Sequence, residues 1–209
     1  MNNGSASFHL VATLGGIAVF SGVLLALTYE VTKPMIARNE SEALETAVLE
    51  VVPGAVEREN YRLDEQGLRK LAKDSTEEAN VYAGIDEQGE RIGFAFSGEA
   101  RGYADVIRIL YGYDPVQKQV IGLQVLSSNE TPGLGDKISK DADFQENFVA
   151  LDASLTHEIV TVKHGEKTEP WQIDGISGAT VSSKAVGQAL RDSTHTWVPT
   201  LSAALEERK

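Results

Sequence analysis

The residues with chemical potential gather in Asp174-Gly175-Ile176-Ser177-Gly178-Ala179-Thr180-Val181-Ser182-Ser183. An acidic residue and two glycines lead to a threonine, and an apolar set at helical spacing follows: Val181, Ala185, Val186, Ala189 and Leu190. The pattern predicts a helix that begins near Thr180. A helix start offers free N–H groups and a partial positive charge, and small residues let backbone approach a ligand closely. Thr180 would thus place a hydroxyl where an anion such as a phosphate is welcome. The simpler alternative is an N-cap with no ligand, because Ser, Thr and Asp are preferred there in any case.

A second stretch has comparable content. Ser127-Ser128-Asn129-Glu130-Thr131-Pro132-Gly133-Leu134-Gly135-Asp136-Lys137 lies between a predicted strand and a predicted helix. Pro132 stiffens a turn, and Gly133 and Gly135 permit positive φ or close packing. Glu130 and Thr131 bring polar groups and Leu134 an apolar surface, the mixture that a flat heteroaromatic ligand needs.

Both stretches resemble motifs of the FMN-binding domain family: D-G-x-S-G-A-T-x-S-S, its flavin-attachment segment, and E-T-P-G-x-G, which lines the flavin pocket. The resemblance covers roughly residues 98–190. It implies FMN attached through a phosphoester to Thr180, with Ser177, Gly178 and Ala179 beside it and Glu130, Thr131, Gly133 and Leu134 along the pocket. Gly102-Tyr103 resembles, more weakly, a Gly-Tyr that opens a strand near the flavin. The family serves as electron carriers in membrane ion-translocating oxidoreductases. The short chain and single anchor resemble the Rnf-type ferredoxin:NAD branch more than the sodium-pumping NADH:quinone reductase branch. A membrane-anchored flavin sensor is a further alternative. The resemblance also implies the other members of such a complex and a flavin transferase as partners, and a domain on the extracytoplasmic (periplasmic) side of the inner membrane.

Other chemistries find little support. The chain has 209 residues, a net charge of −12 and no cysteine. The charge disfavours nucleic acid as a partner. The missing thiols exclude disulfides, thiolate metal sites and Cys nucleophiles within this chain. His9, His157, His164 and His195 have no metal-site spacing, and no G-x-S-x-G surrounds a serine. Lys184, one turn past Thr180, reads as a solvated helix residue.

The elements that must position these groups give an α+β reading. After a tail at 1–9, Leu10–Tyr29 carries no charge. At 1.5 Å per residue it is about 30 Å long, enough for a transmembrane helix. Lys33 and Arg38 follow it and no Lys or Arg precedes it, which by the positive-inside rule would leave the domain cytoplasmic, against the family expectation. Pro34–Val52 reads as a stalk helix ended by Pro53-Gly54, and 55–79 as a connecting region with one short helix. The FMN-binding domain is expected over 80–209. Its expected strands are 81–85, 91–96, 103–113, 119–126 and 158–162, forming an antiparallel sheet with flanking helices at 138–149 and from 182 to a break at Pro199.

Overall fold

The computed structural model describes residues 3–206, apart from 65, 66, 73, 74 and 76. Two compact units divide at Ala43/Leu44.

The first unit is helical. Helix α1 (Asn3–Val51) begins inside the expected tail and continues beyond the unit's end, passing through Pro34 without interruption. Transmembrane and stalk segments are therefore one helix rather than two. A proline inside a helix removes one N–H and crowds the preceding turn, but the rest of the ladder carries the helix on. Within it, Val11–Ile36 is long and apolar enough to cross a membrane. Its large apolar side chains, including Leu14, Phe20, Leu24 and Leu25, are exposed.

The second unit is built on a seven-stranded, wholly antiparallel sheet in the order β2-β1-β3-β4-β5-β6-β7. Its strands are β1 (Glu57–Asp64), β2 (Gly67–Lys70), β3 (Val81–Ile85), β4 (Arg91–Arg101), β5 (Val106–Asp114), β6 (Gln119–Ser127) and β7 (Leu151–Asp152). β1 and β2 occupy the region expected to hold a short helix, so the sheet starts well before residue 80. Only Tyr61 and Leu63 of β1 are buried, and its remaining positions are mostly charged, which hides the two-residue period.

Side chains alternate between the two faces as the pleat requires. Phe94, Phe96, Ile109 and Tyr111 join the larger core under α3 (Thr180–Glu206), while Ala95 and Leu110 join a smaller one with Ala47, Val48, Val51 and Val52. This second core docks the last turns of α1. Gly112 makes the docking possible: a Cβ there would stand 1.8 Å from the Val51 carbonyl oxygen.

Between β6 and β7 lie a 3₁₀ turn (Gly135–Ser139) and α2 (Ala142–Glu146), two short pieces where one helix is expected. Asp141 separates them by capping α2, its carboxylate accepting the Phe144 N–H at 3.0 Å. β8 (Val160–Val162) and β9 (Gln172–Asp174) form a separate parallel pair that leads into α3. α3 does not break at Pro199, because Val198, Leu201 and Ala204 stay buried on both sides of it.

Candidate functional site

Three chain segments meet at the start of α3. β9 delivers Asp174, whose side chain accepts the Gly165 N–H at 2.7 Å and faces His164 at 3.4 Å. Its backbone is clasped by buried Asn147, which donates to the Asp174 carbonyl at 3.3 Å and accepts its N–H at 2.9 Å. The chain then turns through Gly178, where φ is +82°, a conformation that suits glycine. The Ser183 hydroxyl fixes this turn from inside the helix: it accepts the Ile176 N–H at 3.0 Å and donates to the Ala179 carbonyl at 2.9 Å. The Ser183 N–H bonds the same carbonyl at 2.9 Å, which starts the helical ladder. The N–H groups before it point out of the helix end, as in any α-helix. Thr180 is the first residue of α3, and its side chain is exposed there.

The second segment is the loop after β6. Leu134 N–H bonds the Thr131 carbonyl at 3.1 Å, and Gly133 at the apex has φ +79° and donates to Asp136 Oδ1 at 2.6 Å. Lys140 closes on Asp136 at 2.7 Å. The third segment is the β4–β5 turn, residues 102–105. Gly102 N–H bonds the Asp105 carbonyl at 2.8 Å, and β5 begins only at Val106, so Gly102 and Tyr103 stand in the turn and not at a strand start as expected.

Glu130 ties the three together. It is buried; one oxygen accepts the Ala104 N–H at 2.9 Å and the other accepts the Ser182 hydroxyl. Burial alone would push its carboxyl up. The Ser182 hydroxyl and the N–H groups of Ala104, Tyr103 and Asp105 outweigh that and hold it below the usual glutamate value. A Cβ on Gly102 would come within 2.5 Å of the Glu130 carboxylate and 2.7 Å of the Ile107 side chain, so a larger residue there would have to displace both.

The result is a groove of about 510 Å³ lined by Tyr103, Glu130, Thr131, Leu134, Gly135 and residues 178–182, which lead into and begin α3. That is within the roughly 300–1,000 Å³ usual for a cofactor site. Tyr103, Leu134 and Val181 are 74 %, 51 % and 51 % exposed, three large apolar side chains around one opening. A flat apolar ligand with an anionic tail fits this set, the tail at the helix end and the ring among the apolar groups. Of the residues singled out in the sequence, Thr180, Gly178, Ala179, Glu130, Thr131, Leu134 and Tyr103 line the groove. Ser177 instead faces a smaller cavity of about 210 Å³ beside Asp174, and Gly102 and Gly133 shape the turns from outside the lining. Lys184 is exposed and outside the groove. The pairings of Ser182 with Glu130 and of Asn147 with Asp174 span 52 and 27 residues and carry no signal in the sequence, and the Ser183 bonds to Ile176 and Ala179 are local but look like any serine in a helix start.

Comparison with known proteins places this groove in a class: residues 102–195 match the FMN-binding domain and residues 1–51 match the RnfG N-terminal region. The chain belongs to the RnfG family, the G subunits of ion-translocating oxidoreductase complexes. It is 32 % identical to the G subunit of the ion-translocating oxidoreductase complex of Methanosarcina acetivorans, across 91 % of this chain and 94 % of that one. It is 31 % identical to the G subunit of the Na(+)-translocating ferredoxin:NAD(+) oxidoreductase complex of Acetobacterium woodii, across 86 % of each. The fold is shared with the C subunit of the Na(+)-translocating NADH-quinone reductase of Parabacteroides distasonis, at a TM-score of 0.59 and 19 % identity over 78 % of this chain and 92 % of that one. With one apolar span among the described residues, the chain is a single-pass membrane protein.

Proposed function

We propose that this protein is an electron-carrying component of a membrane-bound, ion-translocating ferredoxin:NAD oxidoreductase complex, and that it carries FMN joined by a phosphoester to Thr180. Family membership supports the complex, and the match over 102–195 supports the flavin. The observation that carries the attachment point is the exposed Thr180 hydroxyl at the first position of α3, beside a groove with an apolar mouth.

Bound there, the flavin would supply the electron chemistry. The chain's own residues have three tasks. The N-terminal N–H groups of α3 would face the phosphate. Leu134, Val181 and Tyr103 would cover the ring and keep water from its faces. Thr180 would be a tether that takes no part in turnover. Attachment by phosphoester leaves the ring free of covalent bonds, so its potential would follow from the groove's hydrogen bonds and charges. It would also hold the cofactor where free FMN is too scarce to keep a reversible site filled. A flavin transferase would install it, and other members of the complex would supply the electron donor and acceptor. We place the domain on the extracytoplasmic side, following the family against the flanking basic residues Lys33 and Arg38.

The test is the intact mass and in-gel fluorescence of wild type and Thr180→Val, each co-expressed with a flavin transferase. Wild type should carry the FMN adduct and the variant none. An unmodified wild-type chain removes the attachment, and fluorescence retained by Thr180→Val moves it to another residue.

A further inference from the structure

Among the residues that line the groove, Glu130 is the one with a charge. The residue is 6 % exposed, and its carboxylate takes its hydrogen bonds from neutral donors, the Ser182 hydroxyl and backbone N–H groups. Arg101, Lys137, Lys140 and Lys184, on the segments that form the groove, are not among its lining, and Lys140 is engaged with Asp136 at 2.7 Å. The groove therefore presents a negative charge that no lining cation offsets.

We propose that Glu130 sets the reduction potential of the flavin in this groove, its buried charge holding the midpoint low. The proposal rests on the FMN reading given above. Two electrons and one proton convert an oxidised flavin to an anion; two electrons and two protons give a neutral product. A fixed carboxylate in the lining of the groove would raise the energy of the anion and of any electron that arrives ahead of its proton. Burial strengthens the effect, because the local dielectric is lower than that of water. The Ser182 and Ala104 bonds keep the carboxylate from turning away as charge develops. Joining the loop to α3 would not by itself require this charge. A glutamine side chain could accept from Ala104 and donate to Ser182, so the ionised form adds an electrostatic role to the structural one.

The experiment uses the full-length, flavin-loaded protein in detergent, titrated with dithionite against reference dyes. Flavin content is checked by absorbance and intact mass. Glu130→Gln should shift the midpoint to more positive potential at unchanged flavin content. Glu87→Gln, which neutralises an exposed carboxylate in the β3–β4 turn outside the lining, should leave it in place. An unshifted Glu130→Gln overturns the proposal, as does an equal shift in Glu87→Gln. So does a folded Glu130→Gln chain that takes up no flavin, because the carboxylate would then serve loading and not potential. A wild-type chain without flavin overturns this inference and the attachment together; a loaded wild type with an unshifted glutamine variant overturns this one alone.

Discussion

Glu130 and Ser182 stand 52 residues apart and are joined by a hydrogen bond from the serine hydroxyl to the buried carboxylate. The bond links the loop after β6 to the first turn of α3, the two walls of the groove. Without it the walls would share fewer fixed contacts, and a buried charge would lose a donor.

Ser182→Ala should therefore destabilise the domain by about 1–3 kcal/mol, the usual cost of leaving a buried polar group short of a partner. The acid limb of stability should also move. Glu130 is held below its unfolded value, so its contribution is complete above that value and is lost as pH falls through the folded one. In Ser182→Ala the folded value rises toward the ordinary one, less of this stability exists to be lost, and the variant's deficit should shrink toward acid pH. Thermal melts of both proteins across an acid series measure it. A deficit that stays constant down to the acid limit would rule out this linkage.

Tyr111 supplies the alkaline counterpart. Its hydroxyl lies 3.0 Å from Ser193 Oγ, and Ser193 in turn donates to the Ser97 carbonyl at 2.8 Å. With the serine proton committed to Ser97, Tyr111 must be the donor in the first bond. Burial pushes its phenol well above the ordinary range, and burial likewise pushes Tyr113 up to about 12. An unfolded tyrosine ionises near 10. Stability is therefore full below that pH and falls as pH rises beyond it, since the unfolded chain releases its protons first. Ultraviolet titration should show these two tyrosines ionising only with alkaline unfolding. Tyr111→Phe should cost about 0.5–1.5 kcal/mol, and Ser193→Ala more, because it strands the buried phenol.

How far these features could be read beforehand depended on sequence distance. Thr180 at a helix start was legible because the glycine, the hydroxyl and the apolar period are contiguous. The β3–β4 hairpin was legible because its turn, Asp86 to Glu90, separates two runs of period two. β1 was not: its buried residues Tyr61 and Leu63 sit among Glu57, Arg58, Glu59 and Arg62, and the long charged side chains mask the alternation. Pro34 and Pro199 misled for the opposite reason, since each carries a local breaking signal that the surrounding helix overrides. Glu130 was found as a groove residue, but its partner Ser182 could not be, because pairing at that distance exists only after the chain has folded.

Gly112 illustrates a constraint that composition conceals. A methyl group there would stand 1.8 Å from the Val51 carbonyl oxygen, and one on its cross-strand partner Gly122 would stand 2.7 Å from the same atom. Gly112→Ala must expel the end of α1 from the sheet or bend the strand. Overpacking of this kind costs about 1–3 kcal/mol. Hydrogen exchange should show faster exchange in residues 44–52, while the groove on the α3 side keeps its protection. Equal loss of protection on both faces would mean that the two cores do not loosen separately.

Asn147 offers the most direct route from stability to the proposed attachment. Its side chain is 5 % exposed and spans two short elements: it donates to the Phe144 carbonyl at 3.0 Å in α2 and brackets Asp174 of β9 from both backbone sides. Lys167 adds a bond to its oxygen at 3.0 Å. β9 has only Gln172–Asp174 paired with β8, and one bond from the Gly175 N–H to the Val162 carbonyl at 3.1 Å follows, so the Asn147 bonds are a large share of what fixes the chain before the turn that Ser183 holds. Asn147→Ala would leave the Asp174 N–H and carbonyl without these partners, at about 1–3 kcal/mol. The stability loss should come with slower or incomplete flavin loading, because the acceptor hydroxyl would be less firmly presented. Asn147→Asp separates the two effects. Its carboxylate can still accept from Asp174 and Lys167 but cannot donate to the two carbonyls. If presentation depends on the Asp174 N–H bond, loading measured by intact mass should recover in the aspartate variant more than stability does. Equal loading in all three proteins would show that the turn before Thr180 holds its shape without Asn147.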